Sequence, residues 1–210
     1  MNYEILLTLF PILLIIIGSW SVIKPNHTHR INLSAWAVIV ANAWLAALGT
    51  AFSEKSGLGA IYLLLNAAIL TPILLLNLKR GAWKGLPSWQ KMAVPILPLG
   101  GILGFYMGGE YATWTSCVVS CLLSIQLLEG VWKSISKESI TTWSLFLASD
   151  SIALVIGWTS SNLGYKVLLS LWVLQCLGVI IISLFKRKSS TLRKLPYENI
   201  SKRFSKIRVA

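Results

Sequence analysis

Apolar residues in this chain do not alternate with polar ones at the period of a strand or a surface helix; they gather into long blocks parted by short polar breaks. The blocks fall near residues 5–23, 33–52, 58–78, 92–109, 112–132, 141–159 and 163–185. Each approaches the roughly 20 residues that a helix needs to cross the hydrocarbon core of a bilayer. Inside that core every backbone N–H and C=O must find a partner within the protein, so a spanning segment is either a helix or a strand of a closed barrel. Blocks this long and evenly apolar predict helices. The breaks hold residues that end helices: Lys24-Pro25-Asn26, Ser53 to Gly57, Arg80 to Ser88, Gly108-Gly109-Glu110, Ser134 to Ser139 and Ser160 to Gly164. All are short, so no soluble domain is inserted between spans. The expected fold class is all-α and integral to a membrane, with seven transmembrane helices. The first block carries Glu4 where a signal peptide has Lys or Arg, and it is read as a span rather than a leader.

Composition agrees: of 210 residues, 55% are hydrophobic and only 12% charged, which a soluble globule of this length would not tolerate. The net charge of +12 would suit a nucleic-acid surface if it were spread over a soluble fold, but its distribution says otherwise. Of the 19 Lys and Arg, all but Lys55 and Lys166 fall on one side of the seven-span reading. Cytoplasmic loops are enriched in Lys and Arg, so the N-terminus is expected outside and the C-terminus in the cytoplasm. The same charge bias suits a bacterial inner membrane and a eukaryotic one alike. The tail from Lys186 to Ala210 mixes cations with Leu192, Leu195, Phe204, Ile207 and Val209; it either lies on anionic lipids of the inner leaflet or extends as a disordered stop-transfer segment. The Asn-x-Ser/Thr matches at Asn26, Asn32 and Asn199 fall on the cytoplasmic side or at a span edge, beyond reach of glycosylation.

Cys117, Cys121 and Cys176 lie inside apolar blocks and read as small buried hydrophobes, while His27 and His29 share a polar loop. No Cys or His spacing suits a metal, no cofactor is implied, and no Ser/His, Cys/His or paired-carboxylate arrangement within the spans suggests an enzyme.

The spans also repeat. Gly18-x-Trp20 matches Gly130-x-Trp132, Asn42 and Gly49 match Asp150 and Gly157, and Lys79-Arg80 matches Lys186-Arg187, at offsets of 112, 108 and 107 residues. The register slips only between spans, where loops absorb length, and this favours duplication. Three spans per unit would invert the second copy; a fourth span between them restores its direction, giving parallel units in a three-plus-one-plus-three plan. The units are residues 1–80 and 111–187, joined by a linker with the fourth helix at 81–110 and followed by the basic tail at 188–210. The fourth span carries Pro95 and Pro98 with Gly100, Gly101, Gly104 and Gly108, a spacing that permits close helix contact.

On these features the chain resembles the SWEET and PQ-loop family of membrane transporters, over residues 3 to 187. Ile125-Gln126 stands where the second repeat of that family has Pro-Gln, and Glu138 to Trp143 looks like the polar entry into the next helix. Asn42-Ala-Trp44 with Gly49 resembles the family's Asn, Trp and Gly helix, and Asn66 its pocket asparagine. Neither Pro-Gln dipeptide is intact, and Asp150 replaces an amide. The resemblance implies two parallel three-helix bundles joined by a linker helix, and transport of a small polar solute such as a sugar or amino acid.

Polar residues deep in hydrocarbon are costly and mark either pathways or contacts between helices. Asp150 stands out, near the middle of the sixth span and paired by the repeat with Asn42. It is expected to bind solute or carry a proton, or else to pair structurally with a neighbour. Asn66, Gln126 and Gln175 offer donors and acceptors at mid-span, and Trp44 and Trp172 offer rings there; interhelical bonding is the alternative for each amide. The substrate-binding set expected is therefore Asn42, Trp44, Asn66, Gln126, Asp150, Trp172 and Gln175. Pro11 and Pro72 interrupt their helices and are either hinges or merely tolerated. Expected partners are the bilayer, a small polar solute and anionic lipids beneath the tail, without nucleic acid, and a homo-oligomer is compatible. The competing function is a receptor or scaffold subunit on the same bundle that transports nothing.

Overall fold

The computed structural model describes residues 3–23, 33–53, 58–78, 85–133, 140–158 and 163–207. Within them the chain is all-helical: α1 (Tyr3–Ile23), α2 (Leu33–Ala51), α3 (Leu58–Asn77), α4 (Ser88–Met107), α5 (Gly109–Lys133), α6 (Ile140–Gly157) and α7 (Leu163–Ile207). The loop of His27 and His29, the acceptor matches Asn26 and Asn32, Lys55, and Glu138-Ser139 lie outside the described residues.

Each apolar block becomes one helix, with bounds close to those read from the breakers. Two departures have clear causes. Expected as a span from 92, α4 begins at Ser88, because Pro87 suits the position just before a first turn and Ser88, Gln90 and Lys91 do not oppose a helix. The second departure is at the C-terminus, where α7 continues past Lys186 and Arg187 to Ile207, so the tail's backbone is helical rather than a disordered extension. Once a helix is nucleated, Leu, Lys and Arg propagate it at little cost.

Among the described residues five segments are long and apolar enough to cross a membrane: Leu33–Ala51, Gly59–Leu76, Gly109–Lys133, Ile140–Gly157 and Leu163–Arg187. The described apolar stretch of α1 is shorter, Leu9–Ser19, and α4 is diluted by Ser88, Gln90 and Lys91. The outward surface is what a bilayer requires. Leu9, Phe10, Leu13, Ile16 and Ile17 on α1, Phe105 and Tyr106 on α4, and Ile181, Leu184 and Phe185 on α7 are all exposed. A continuous apolar exterior of this kind is stable in lipid and a liability in water.

Helix α3 packs against α1 and α2, and α7 packs against α5 and α6. The two groups meet where α1 lies on α6 and α2 lies on α5, while α4 covers α5 and α2. Small residues set the separations. A Cβ at Gly49 of α2 would stand 2.8 Å from the Ala112 Cβ and 2.9 Å from the Gly109 carbonyl of α5. Gly100 and Gly104 of α4 lie against Thr115 and Ala112. The sharp link between α4 and α5 is made at Gly108, whose φ of 108° is open to glycine and strained for other residues. Hydrogen bonds tie the same seams: Thr50 and Thr113 stand 3.3 Å apart across α2 and α5, and Ser149 Oγ of α6 donates to the Pro11 carbonyl of α1 at 2.7 Å.

Candidate functional site

The polar residues at mid-helix depth converge on one cavity of about 660 Å³. Its deep part is lined by Asn42 of α2, Asn66 of α3, Ser120 of α5, Asp150 of α6, and Trp172 and Gln175 of α7. From there it extends to the end of the bundle where α1 and α5 finish and α2, α4 and α6 begin. Ser19, Trp36, Gln90, Gly130, Thr142 and Trp143 line that outer part.

The opposite end is filled. Tyr165 of α7, only 1% exposed, sits against Gly59 of α3 and Gly157 of α6, and its hydroxyl donates to the Ala153 carbonyl at 3.2 Å. A Cβ at Gly59 would meet the Tyr165 ring at 2.6 Å, so glycine is what admits the ring. Beside this plug, Gly49 on Gly109 and Thr50 near Thr113 close α2 onto α5.

Of the seven residues expected from the sequence, six line the cavity: Asn42, Asn66, Gln126, Asp150, Trp172 and Gln175. Trp44 does not. Its indole N–H donates to Thr71 Oγ1 at 2.9 Å, and Thr71 in turn donates to the Ala67 carbonyl one turn earlier on α3. Helical phase decides this: Trp44, two residues after Asn42, lies about 200° around α2 from it, so the two cannot share a face.

The lining residues differ in how much of their hydrogen bonding is already used. A row of serines on α5, Ser116, Ser120 and Ser124, holds three of them. Asn42 Nδ2 donates to Ser120 Oγ at 2.9 Å, and Ser116 Oγ donates to Asn42 Oδ1 at 3.0 Å. Trp172 Nε1 donates to the same Ser120 oxygen at 3.3 Å, and Ser124 Oγ donates to Gln175 Oε1 at 2.6 Å. For Asn42, Trp172 and Gln175, bonding between helices is therefore real and coexists with a place on the wall.

Asp150, 7% exposed, is held differently. The Tyr62 hydroxyl of α3 donates to Oδ1 at 2.8 Å and also stands 3.1 Å from Ser149 Oγ; the Cys176 thiol of α7 lies 3.7 Å from Oδ2. Both donors are neutral. Asn66, 8% exposed, has no side-chain partner among the described residues, and neither has the Gln90 Oε1 atom. Asn42 and Asp150, the repeat-related pair, thus share a cavity but bond to separate partners.

Sequence reasoning missed Tyr62, Gln90, Trp36, Trp143 and the serine row. The serines carried a readable signal, since positions 116, 120 and 124 lie four apart and fall on one face of a helix. Tyr62 did not: a tyrosine near a span end reads first as an interfacial anchor, and only the crossing of α3 with α6 puts its hydroxyl on a carboxylate.

No protein-family model, curated protein or solved structure matches the chain.

Proposed function

We propose that the chain is a transporter that moves a small polar solute across its membrane by alternating access, as a facilitator or as a proton-coupled carrier. The observation that carries this reading is the one-sided cavity, polar at mid-helix depth, reaching one end of the bundle and packed shut at the other. Its volume lies within the roughly 300–1,000 Å³ typical of small-molecule sites. A scaffold gains nothing from such a space, since a buried polar atom without a partner, as at Gln90 Oε1 on the cavity wall, costs stability unless a ligand or water satisfies it.

In this reading all seven helices span. The contact pairs suit two parallel three-helix bundles, α1 to α3 and α5 to α7, joined by α4, which is the plan the resemblance to SWEET and PQ-loop transporters implies. With the basic loops in the cytoplasm, the cavity faces inward and the Tyr165 plug closes the outer side. Opening outward then requires Tyr165 to leave Gly59 and Gly157 while the Trp36 and Trp143 end closes. The Tyr62–Asp150 bond joins α3 of one bundle to α6 of the other, so a solute or proton taken up by Asp150 acts directly on the seam that must move.

Uptake by proteoliposomes of a panel of sugars, amino acids and nucleosides, with and without a pH gradient, tests the proposal. Saturable uptake that Asp150→Asn abolishes or uncouples from the gradient is expected. Absence of uptake for every solute by folded protein would replace the transporter with a receptor or scaffold subunit.

A further inference from the structure

The cavity wall narrows the class of solute, and this inference rests on the transport reading above. Charge comes first. Among the described residues Asp150 is the one carboxylate on the wall, and no described Lys, Arg or His lines the cavity. Its two hydrogen-bond donors, Tyr62 and Cys176, are uncharged. An anionic solute would meet a like charge with no cation among the described lining residues to compensate it, whereas a cationic one would supply a counter-charge to the buried carboxylate.

Ring surface comes second. Trp36 of α2, Trp143 and Phe146 of α6, and Trp172 of α7 all line the same space. The N–H of Trp172 is already given to Ser120, and Trp143 meets Phe146 edge to face with ring centroids 5.8 Å apart. What Trp172 has left to offer a ligand is its π system, and indole faces attract cations more strongly than other aromatic rings do. The third element is Asn66, more than nine-tenths buried on the wall with its amide unclaimed by the described residues, which can bond a polar substituent.

We propose that the cavity takes a ring-bearing organic cation, with the Asp150 carboxylate as counter-charge, the indoles of Trp36, Trp143 and Trp172 as its aromatic enclosure, and Asn66 bonding a polar group on the ring. A sugar would use the amides and waste the carboxylate; a small aliphatic ammonium would leave most of the aromatic surface without contact.

Binding to the full-length protein in nanodiscs tests this with four probes that separate charge from ring: phenyltrimethylammonium, tetramethylammonium, benzyl alcohol and benzenesulfonate, with empty nanodiscs subtracted. Radiolabelled phenyltrimethylammonium is expected to bind saturably, at least about tenfold more tightly than tetramethylammonium or benzyl alcohol compete for it, with no competition from benzenesulfonate. Asp150→Asn should weaken the cation about tenfold or more while leaving benzyl alcohol unchanged, and Trp143→Leu should bring phenyltrimethylammonium down to the level of tetramethylammonium. The wild-type probe series needs no variant to fold. Equal binding of benzyl alcohol and the cation, binding of benzenesulfonate, or no binding of the cation overturns the inference. Uptake of a neutral sugar that phenyltrimethylammonium does not inhibit also overturns it, yet leaves the transporter standing. Saturable cation binding without uptake of any solute would retain the site and remove the transport function.

Discussion

Replacing Gly49 by alanine probes the closest seam between the two halves of the bundle. The new methyl would lie 2.8 Å from the Ala112 Cβ, 2.9 Å from the Gly109 carbonyl oxygen and 2.9 Å from the Thr113 nitrogen. Two of these three are backbone atoms of α5, which cannot turn aside as a long side chain would. Overpacking a tight contact costs about 1–3 kcal/mol. For a chain of this size, that corresponds to a fall in melting temperature of about 2–12 °C. Gly101→Ala is the matched control, because nothing lies within 4 Å of its added Cβ and it sits inside α4 on the exposed side. There the substitution removes backbone freedom from the unfolded chain and is expected to stabilise by about 0.4–1 kcal/mol. The assay is thermal unfolding of both variants and wild type in one detergent, followed by size-exclusion fluorescence. Opposite signs are expected. A Gly49→Ala protein as stable as wild type, or less affected than Gly101→Ala, would refute the close approach of α2 to α5 and with it the closure of that end of the cavity.

Ser120→Ala removes the oxygen that serves both Asn42 and Trp172; at about 0.6 kcal/mol for a bond between membrane helices, it should lower stability by about 1 kcal/mol and alter uptake or binding as well. Tyr62→Phe withdraws the charge-assisted bond to Asp150, with an expected loss of about 1.5–3 kcal/mol in thermal or denaturant unfolding; an unchanged midpoint would show that this bond is not made. Tyr165→Phe should cost only about 0.5–1.5 kcal/mol, the bond to Ala153, whereas Tyr165→Ala removes the plug and about 3–5 kcal/mol of packing. Trp44→Phe and Trp172→Phe separate wall from packing. Both lose an indole bond to a hydroxyl, but only the latter should change solute affinity, measured as KM in uptake or as Kd.

Much of the helix inventory was legible because a bilayer makes a simple demand: apolar blocks of spanning length, parted by breakers, fold locally whatever their neighbours do. The same demand made Asn42, Asn66, Gln126, Asp150, Trp172 and Gln175 conspicuous, since polar groups are rare at that depth and gather where helices enclose a space. Trp44 turns to Thr71 and not to the cavity because depth along a helix is visible in sequence while the face a residue presents is not, when the helix is apolar all round.

What the sequence determined by itself was the all-helical class, nearly all the helix bounds, and the position of each polar residue along its helix. Tertiary structure alone decided which helices touch, and so which polar groups are spent and which remain open. The serine row of α5 claims Asn42, Trp172 and Gln175, and Tyr62 claims Asp150, while Asn66 stands on the wall without a side-chain partner among the described residues. It also closed one end of the cavity by setting Tyr165 against Gly59 and Gly157, three residues far apart in the chain. The physical reason is that hydrophobic patterning fixes how far along the membrane normal a residue sits. Rotation about the helix axis and choice of neighbour, by contrast, depend on small-residue contacts and hydrogen bonds between segments that the chain brings together only on folding.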